Sequence, residues 1–262
     1  MEAISYIDAH DFAVATVQGA GELARAAFGS SVIEYKKSDV KFDVVTAADR
    51  DIDAYIKNEI TARYPHHAKY SEESGASGES EYIWSVDPID GSSNFSRGIP
   101  HFAICVGLLH HNVSVAGAVF NPITKELFSF WQGGGVFLNG VAIKASGRDT
   151  LAGGQVLFTM SSRAENLDWG LALYRKLFEA DSRVRNFGAS SLDLCFLAAG
   201  RVDAVVYGGL SLRDISPALG MVREVGGDVY AFDTGVPAAF EQAPQKIVAT
   251  VTPTLAQSIR GL

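Results

Sequence analysis

Trp84-Ser85-Val86-Asp87-Pro88-Ile89-Asp90-Gly91-Ser92-Ser93-Asn94-Phe95 decides how this chain is read. The apolar run Tyr82 to Val86 is expected to form a buried strand that delivers Asp87 to its end. Pro88 fixes its own φ and biases Asp87 away from helix, which stiffens the turn. Gly91 removes a side chain where something must approach the backbone, and Ser92 and Ser93 read as the first turn of a helix. A strand, an acidic turn and a helix start together form a place for a divalent cation beside a phosphate. Carboxylates hold the metal, while backbone N–H groups and hydroxyls take the phosphate oxygens.

The plainer reading makes Asp87 and Asp90 the caps of a solvated turn, as Asp often is beside Pro and Gly. Such a turn has no need of glycine, two hydroxyls and an apolar lead-in together. A cation held by Asp87 and Asp90 alone would still lack ligands, because Mg²⁺ takes about six oxygens. Glu72, on a loop before the strand, can fold back toward Asp87. Asp214 stands where a strand and its loop meet a helix, so it is either an N-cap or a further ligand. Spacing alone does not separate Glu72 and Glu73 from a solvated pair.

With 262 residues, the chain can bury a large core in one big domain or two smaller ones. A net charge of −8 argues against nucleic-acid and anionic-membrane partners, and it calls for a cation if the ligand is a phosphate ester. Cys105 and Cys195 lie in apolar runs and read as buried free thiols of a reducing compartment. Met1-Glu2-Ala3 lacks a basic segment and an apolar core of the signal-peptide kind, and no run reaches membrane-span length. A cytoplasmic protein is expected.

Along the chain, residues 3–28 read as an amphipathic helix with Ile4, Phe12, Ala15, Leu23 and Ala27 among its apolar positions. Lys36 to Lys41 is a polar connector, and Thr46 is placed to cap a helix from Ala47 to about Arg63. Residues 72–81 read as a loop. Strands are expected at 102–109, 113–120 and 126–131, with an Asn139-Gly140 hairpin after them. The composition shift at 145–154 marks the best junction. Beyond it, strands (155–160, 183–187, 203–207, 246–251) alternate with helices (168–180, 191–199, 215–225). This pattern is α/β (α+β), with mixed sheets covered by helices.

Glu72-Glu73-Ser74, the Trp84–Phe95 stretch and Asp214 have the order and spacing of the inositol monophosphatase family, which the chain resembles. Val45-Thr46-Ala47-Ala48-Asp49 looks like the family's early acidic helix start, and Gly188-Ala189-Ser190-Ser191 before Leu192 and Cys195 looks like its substrate-side helix. The resemblance implies a layered αβαβα sandwich of the sugar-phosphatase type in two sequential mixed-sheet subdomains. Residues 1–147 would carry the metal signature, and 148–262 would complete the metal and substrate site. It further implies a Mg²⁺-dependent, lithium-sensitive phosphomonoesterase, commonly a homodimer, that uses direct attack of metal-activated water.

Carried over residue by residue, Glu72, Asp87, the Ile89 carbonyl and Ser92 would surround one Mg²⁺. Asp87, Asp90 and Asp214 would hold a second, and a weaker third would sit near Asp49 and Glu72. Ser92 paired with Asp49 would orient and deprotonate the water, while Gly91, Ser92 and Ser93 would hold the phosphate. Gly188 and Ala189 fall on the substrate side.

Three positions depart from the family. Ser92 replaces the usual threonine and keeps its hydroxyl. Arg213 stands where an aromatic is common, so it either faces the leaving group or pairs with surface acids. Tyr207 takes the place of an acid that binds sugar hydroxyls, which leaves inositol phosphate, histidinol phosphate, 3′-phosphoadenosine 5′-phosphate and sugar phosphates open as substrates. A regulatory relative without chemistry is the competing class, although all five acids are present. His66, His67, His110 and His111 read as solvated loop residues, and His101 as a candidate for the cleft. Gly133-Gly134-Gly135 reads as a turn, and Lys37 and Asp39 either close over the metals or belong to a linker.

Overall fold

Compact side chains at Ala9, Ala13, Val17, Ala20 and Ala24 recur every three or four positions and form the buried face of helix α1 (Tyr6–Ala27). The computed structural model describes residues 4–29, 33–36, 44–159, 164–238, 240 and 245–262. Lys37, Asp39 and Met160 lie outside the described residues. The buried stripe of α1 differs from the expected one, since Ala15 and Leu23 are exposed. The helix lies so near the sheet that only small residues fit, and a Cβ on Gly21 would meet Phe120 at 2.6 Å.

After α1 come β1 (Ile33–Lys36), β2 (Val44–Thr46), α2 (Ala47–Arg63), β3 (Ala68–Ser71), β4 (Gly75–Ser77), β5 (Tyr82–Asp90) and the short α3 (Ser92–Phe95). The antiparallel run β6 (Ala103–His110), β7 (Val113–Asn121), β8 (Glu126–Trp131), β9 (Gly135–Leu138) and β10 (Val141–Ala142) follows. The second half contains β11 (Gln155–Thr159), α4 (Ala164–Glu179), β12 (Arg183–Arg185), α5 (Ser190–Ala198), β13 (Ala204–Leu210), α6 (Ser216–Glu224), β14 (Asp228–Ala231), β15 (Gln245–Thr250) and α7 (Pro253–Arg260). Residues 72–77, expected as loop, are the turn and second strand of a β3–β4 hairpin. β14 and α7 were not anticipated, although Thr252 capping Leu255 N–H before Pro253 is a readable helix start.

The large sheet runs β10-β9-β8-β7-β6-β5-β3-β4, and the small one β12-β11-β13-β15-β14. Both are mixed, because β3 runs parallel to β5, and β11 runs parallel to β12 and β13. α1 and α2 cover one face of the large sheet, burying Trp84, Ile104, Val106 and Leu108. On its other face, Cys105 and Leu109 pack against α5, α6 and the small sheet. α4 and α7 cover the far side of the small sheet over Val156, Val206 and Val248. The layers are therefore αβαβα. Central strands are buried on both faces, which is why they read as continuous apolar runs rather than alternating ones. Where α6 crosses the large sheet, Gly107 and Gly117 face each other and leave room for Pro217, which a Cβ on Gly117 would meet at 2.7 Å.

Candidate active site

A register shift sets the acidic turn. Asp87 pairs with Cys105 and Asp90 with Ala103, so three steps on β5 match two on β6. In an unbroken strand, residues three apart point to opposite faces. The bulge at Pro88–Ile89 supplies the extra residue and turns both carboxylates into the layer that holds α5 and α6. Ile89 faces the opposite core, and its carbonyl accepts from Ser92 Oγ at 2.8 Å.

Parallel pairing of β3 with β5 brings in Glu72. Ser71 sits opposite Val86, and the Glu72 N–H donates to the Val86 carbonyl at 3.1 Å, placing the Glu72 turn beside Asp87. The Glu72 side chain hydrogen-bonds Asp87. Asp87 is 3% exposed, and its Oδ1 has no hydrogen-bond partner among the described residues. Burial pushes its carboxyl well above the usual carboxylate range, and the charges of Glu72, Asp90 and Asp214 push it further.

Asp214 comes from the turn just before α6 and hydrogen-bonds Tyr70. That turn is held to β5 by Ser85, whose hydroxyl donates to the Arg213 carbonyl. Asp49 lies buried in the first turn of α2. Ser92 Oγ stands 3.1 Å from Asp49 Oδ1 and 2.8 Å from the Ile89 carbonyl, so its one proton has two acceptors. The five acids therefore gather around Asp87 and Ser92.

The remaining expected site residues divide. Gly91 has φ +92°, and a Cβ there would meet the Gly188 carbonyl at 3.1 Å and Ala189 Cβ at 3.2 Å. The 188–189 segment thus rests directly on the acidic turn, and Asn94 holds it by donating to the Phe187 carbonyl at 2.8 Å. Ser93 Oγ accepts from Arg97 at 2.7 Å. The Arg213 guanidinium lies 5.1 Å from the Tyr70 ring centre, beside Asp214. Tyr207 is bound to Asp193 rather than to one of the five acids. It is buried, and its hydroxyl donates to Asp193, which His101 Nε2 approaches to 3.7 Å.

Residues 7–260 match the inositol monophosphatase family. This chain belongs to that family. It is 36% identical over 230 residues to Nus factor SuhB of Pseudomonas aeruginosa, spanning 85% of this chain and 84% of that one. Inositol-1-monophosphatase of Mesorhizobium japonicum is 37% identical over 199 residues, 74% of each. The crystal structure of extragenic suppressor protein suhB from Bartonella henselae superposes with a TM-score of 0.88 at 30% identity, covering 96% of both chains.

In this inositol monophosphatase family member, the donor set suits a hard divalent cation. A buried, bare carboxylate oxygen among three further carboxylates and a backbone carbonyl is short of positive charge. Two groups of supporting residues escaped the sequence reading. Ser190 and Ser191 give both their N–H and hydroxyl groups to Asp90, where a serine pair opening a helix was the available signal. Asp53, one turn after Asp49 on α2, accepts from Ser71 and from Ser74 (2.9 Å) and so ties down both sides of the Glu72-Glu73 turn. No sequence spacing reveals that contact.

The expectation of solvated histidines fails for His67 and His110. His67 stacks between Tyr64 and Tyr82 and accepts from Trp84 Nε1 at 3.2 Å, while His110 stacks on Tyr82 at 4.3 Å. His67, just before β3, and His110, the last residue of β6 and paired with Tyr82, both lie against the aromatic start of β5. His66 is exposed, as expected. No helix among the described residues is long and apolar enough to cross a membrane.

Proposed function

We propose that this chain is a Mg²⁺-dependent phosphatase that cleaves a small, soluble phosphate monoester by direct attack of water. The observation that carries the reading is Asp87, whose buried and bare Oδ1 is ringed by Glu72, Asp90 and Asp214. Glu72, Asp87, the Ile89 carbonyl, Asp90 and Asp214 would hold two cations, with a weaker third near Asp49 and Glu72. When bound, such cations neutralise phosphoryl oxygens and lower the pKa of water. With its proton given to Asp49 rather than to the Ile89 carbonyl, Ser92 would offer its lone pairs to the attacking water and relay that water's proton to Asp49. The N–H groups of Gly91 and Ser92, with Ser93, would seat the phosphate.

Gly188, Ala189 and Arg213 would border the leaving group, with Arg213 facing its anionic side. Tyr207 supports that wall through Asp193 and His101 rather than by contact. The name of the M. japonicum relative supports an inositol phosphate-like substrate. The absence of an acid at 207 keeps histidinol phosphate, 3′-phosphoadenosine 5′-phosphate and sugar phosphates in the comparison. A panel of these esters, assayed for phosphate release with Mg²⁺ and with or without Li⁺, tests the reading. Turnover that needs Mg²⁺ and falls with Li⁺ is expected, and no turnover of any ester would reject it.

A homodimer belongs to the same proposal. Leu167, Leu171, Tyr174 and Phe178 form an exposed apolar stripe on α4 that a second copy would cover. A cytoplasmic location is supported by two buried free thiols. A regulatory role without chemistry is the second reading, supported by the name Nus factor SuhB of the P. aeruginosa relative. Persistence of that role in a variant without phosphatase activity would separate the two.

A further inference from the structure

We propose that Glu81, His110 and His111 form a second metal site, selective for Zn²⁺-like cations and separate from the carboxylate pocket. Glu81 precedes β5, and the two histidines lie at the β6–β7 turn. One ligand atom from each comes within 4.8 Å of the others. His111 Nε2 is 3.4 Å and His110 Nε2 is 3.9 Å from Glu81 Oε2. A tetrahedral cation with bonds of about 2.0–2.2 Å places its ligand atoms roughly 3.4 Å apart, so the cluster must contract and the exposed His111 ring must turn toward the ion.

Two features prepare it. Tyr6 Oη is 2.8 Å from His110 Nδ1, and when Nδ1 carries the proton and donates to Tyr6, the Nε2 lone pair is left facing Glu81. The rings are stacked, Tyr82 on His110 and His110 on His111, both at 4.3 Å, and the His110–His111 stack opens as the two lone pairs turn to the ion. The His111 N–H also donates to the Glu81 carbonyl at 3.0 Å, which pins the turn to the strand's approach. Two imidazoles and one carboxylate suit Zn²⁺ or its neighbours, whereas Mg²⁺ prefers oxygen alone. The site lies at the far end of β5 from Asp87, roughly 20 Å away at about 3.3 Å per residue. Its cation braces the β6–β7 turn, the start of β5 and, through Tyr6, the first turn of α1.

The test is Zn²⁺ binding to the full chain, stripped of metal and then held in millimolar Mg²⁺, followed by calorimetry and thermal unfolding. One Zn²⁺ per chain is expected, with a Tm rise of about 5 °C at a hundredfold excess over Kd. His111→Ala, at an exposed side chain, should weaken binding at least about tenfold and cancel the rise. His66→Ala, exposed and outside the cluster, should bind as wild type does. No Zn²⁺ uptake in the presence of Mg²⁺, or unchanged uptake by His111→Ala, would overturn the assignment. Neither outcome depends on phosphatase activity.

Discussion

Asp90 closes the N-terminus of α5 through Ser191, whose N–H donates to Asp90 Oδ2 at 2.7 Å and whose hydroxyl donates to the same oxygen. Ser190 repeats the pattern on Oδ1, with both contacts at 3.0 Å. One carboxylate thus joins the acidic turn of the first sheet to a helix a hundred residues later. From the sequence, Asp90 reads as a metal ligand or as the cap of a solvated turn. The geometry adds a structural role, because an amide presents one acceptor atom where the carboxylate presents two. Charge-assisted bonds of this kind contribute about 1.5–3 kcal/mol each, so Asp90→Asn should lower Tm by several degrees as well as remove turnover. Unfolding scans beside kinetics would check it, and an unchanged Tm would contradict the bridging role.

Ser92 has two acceptors and one proton. Removing the hydroxyl in Ser92→Ala should lower kcat by about 10²–10⁴, the usual contribution of positioned proton transfer, with little effect on KM. Ser92→Thr should retain activity. Phosphate-release kinetics on both variants decide this, and a full rate in Ser92→Ala would remove the Asp49–Ser92 relay from the account.

His67 supplies a pH test away from the acids. Burial, then the nearby charges of His66 and Lys69, hold it below its ordinary value. As pH falls through about 6.5, the unfolded chain takes up this proton before the folded one does. Its contribution is therefore complete above about 6.5 and declines in more acid solution. Protonation at Nδ1 would also break the bond from Trp84 Nε1. His67→Phe keeps the stack between Tyr64 and Tyr82 but cannot take up a proton. Urea midpoints of the variant should change less between about pH 7.5 and pH 5 than those of wild type. Equal changes in the two proteins would contradict the assignment.

Much of the fold was legible because its signals are local. The Ala47–Arg63 helix and the strands at 113–120 and 126–131 show their periodicity or apolar runs directly. So does the Asn139-Gly140 turn, where both residues have positive φ. The site was legible as a list of acids, through the long Trp84–Phe95 string, but its assembly was not. Pro88 marks the bulge within β5, but that Asp87 and Asp90 come to one face depends on the pairing with β6. Glu72 arrives through a parallel pairing, and Asp53 holds it from another helix. The inward turn of Tyr207 depends on Asp193, fourteen residues earlier on α5. α1 misled because its buried face is made of alanines, while a large residue, Leu23, remains exposed.

The central claim is that Asp87 anchors cations needed for ester cleavage. Its most direct test is phosphate release against Mg²⁺ concentration for wild type and Asp87→Asn. The account predicts a wild-type rate that appears with Mg²⁺ and vanishes with chelator, and a variant that is folded but at least about a thousandfold slower at any Mg²⁺ concentration. A wild-type rate indifferent to chelator, or a variant that matches wild type, would contradict it.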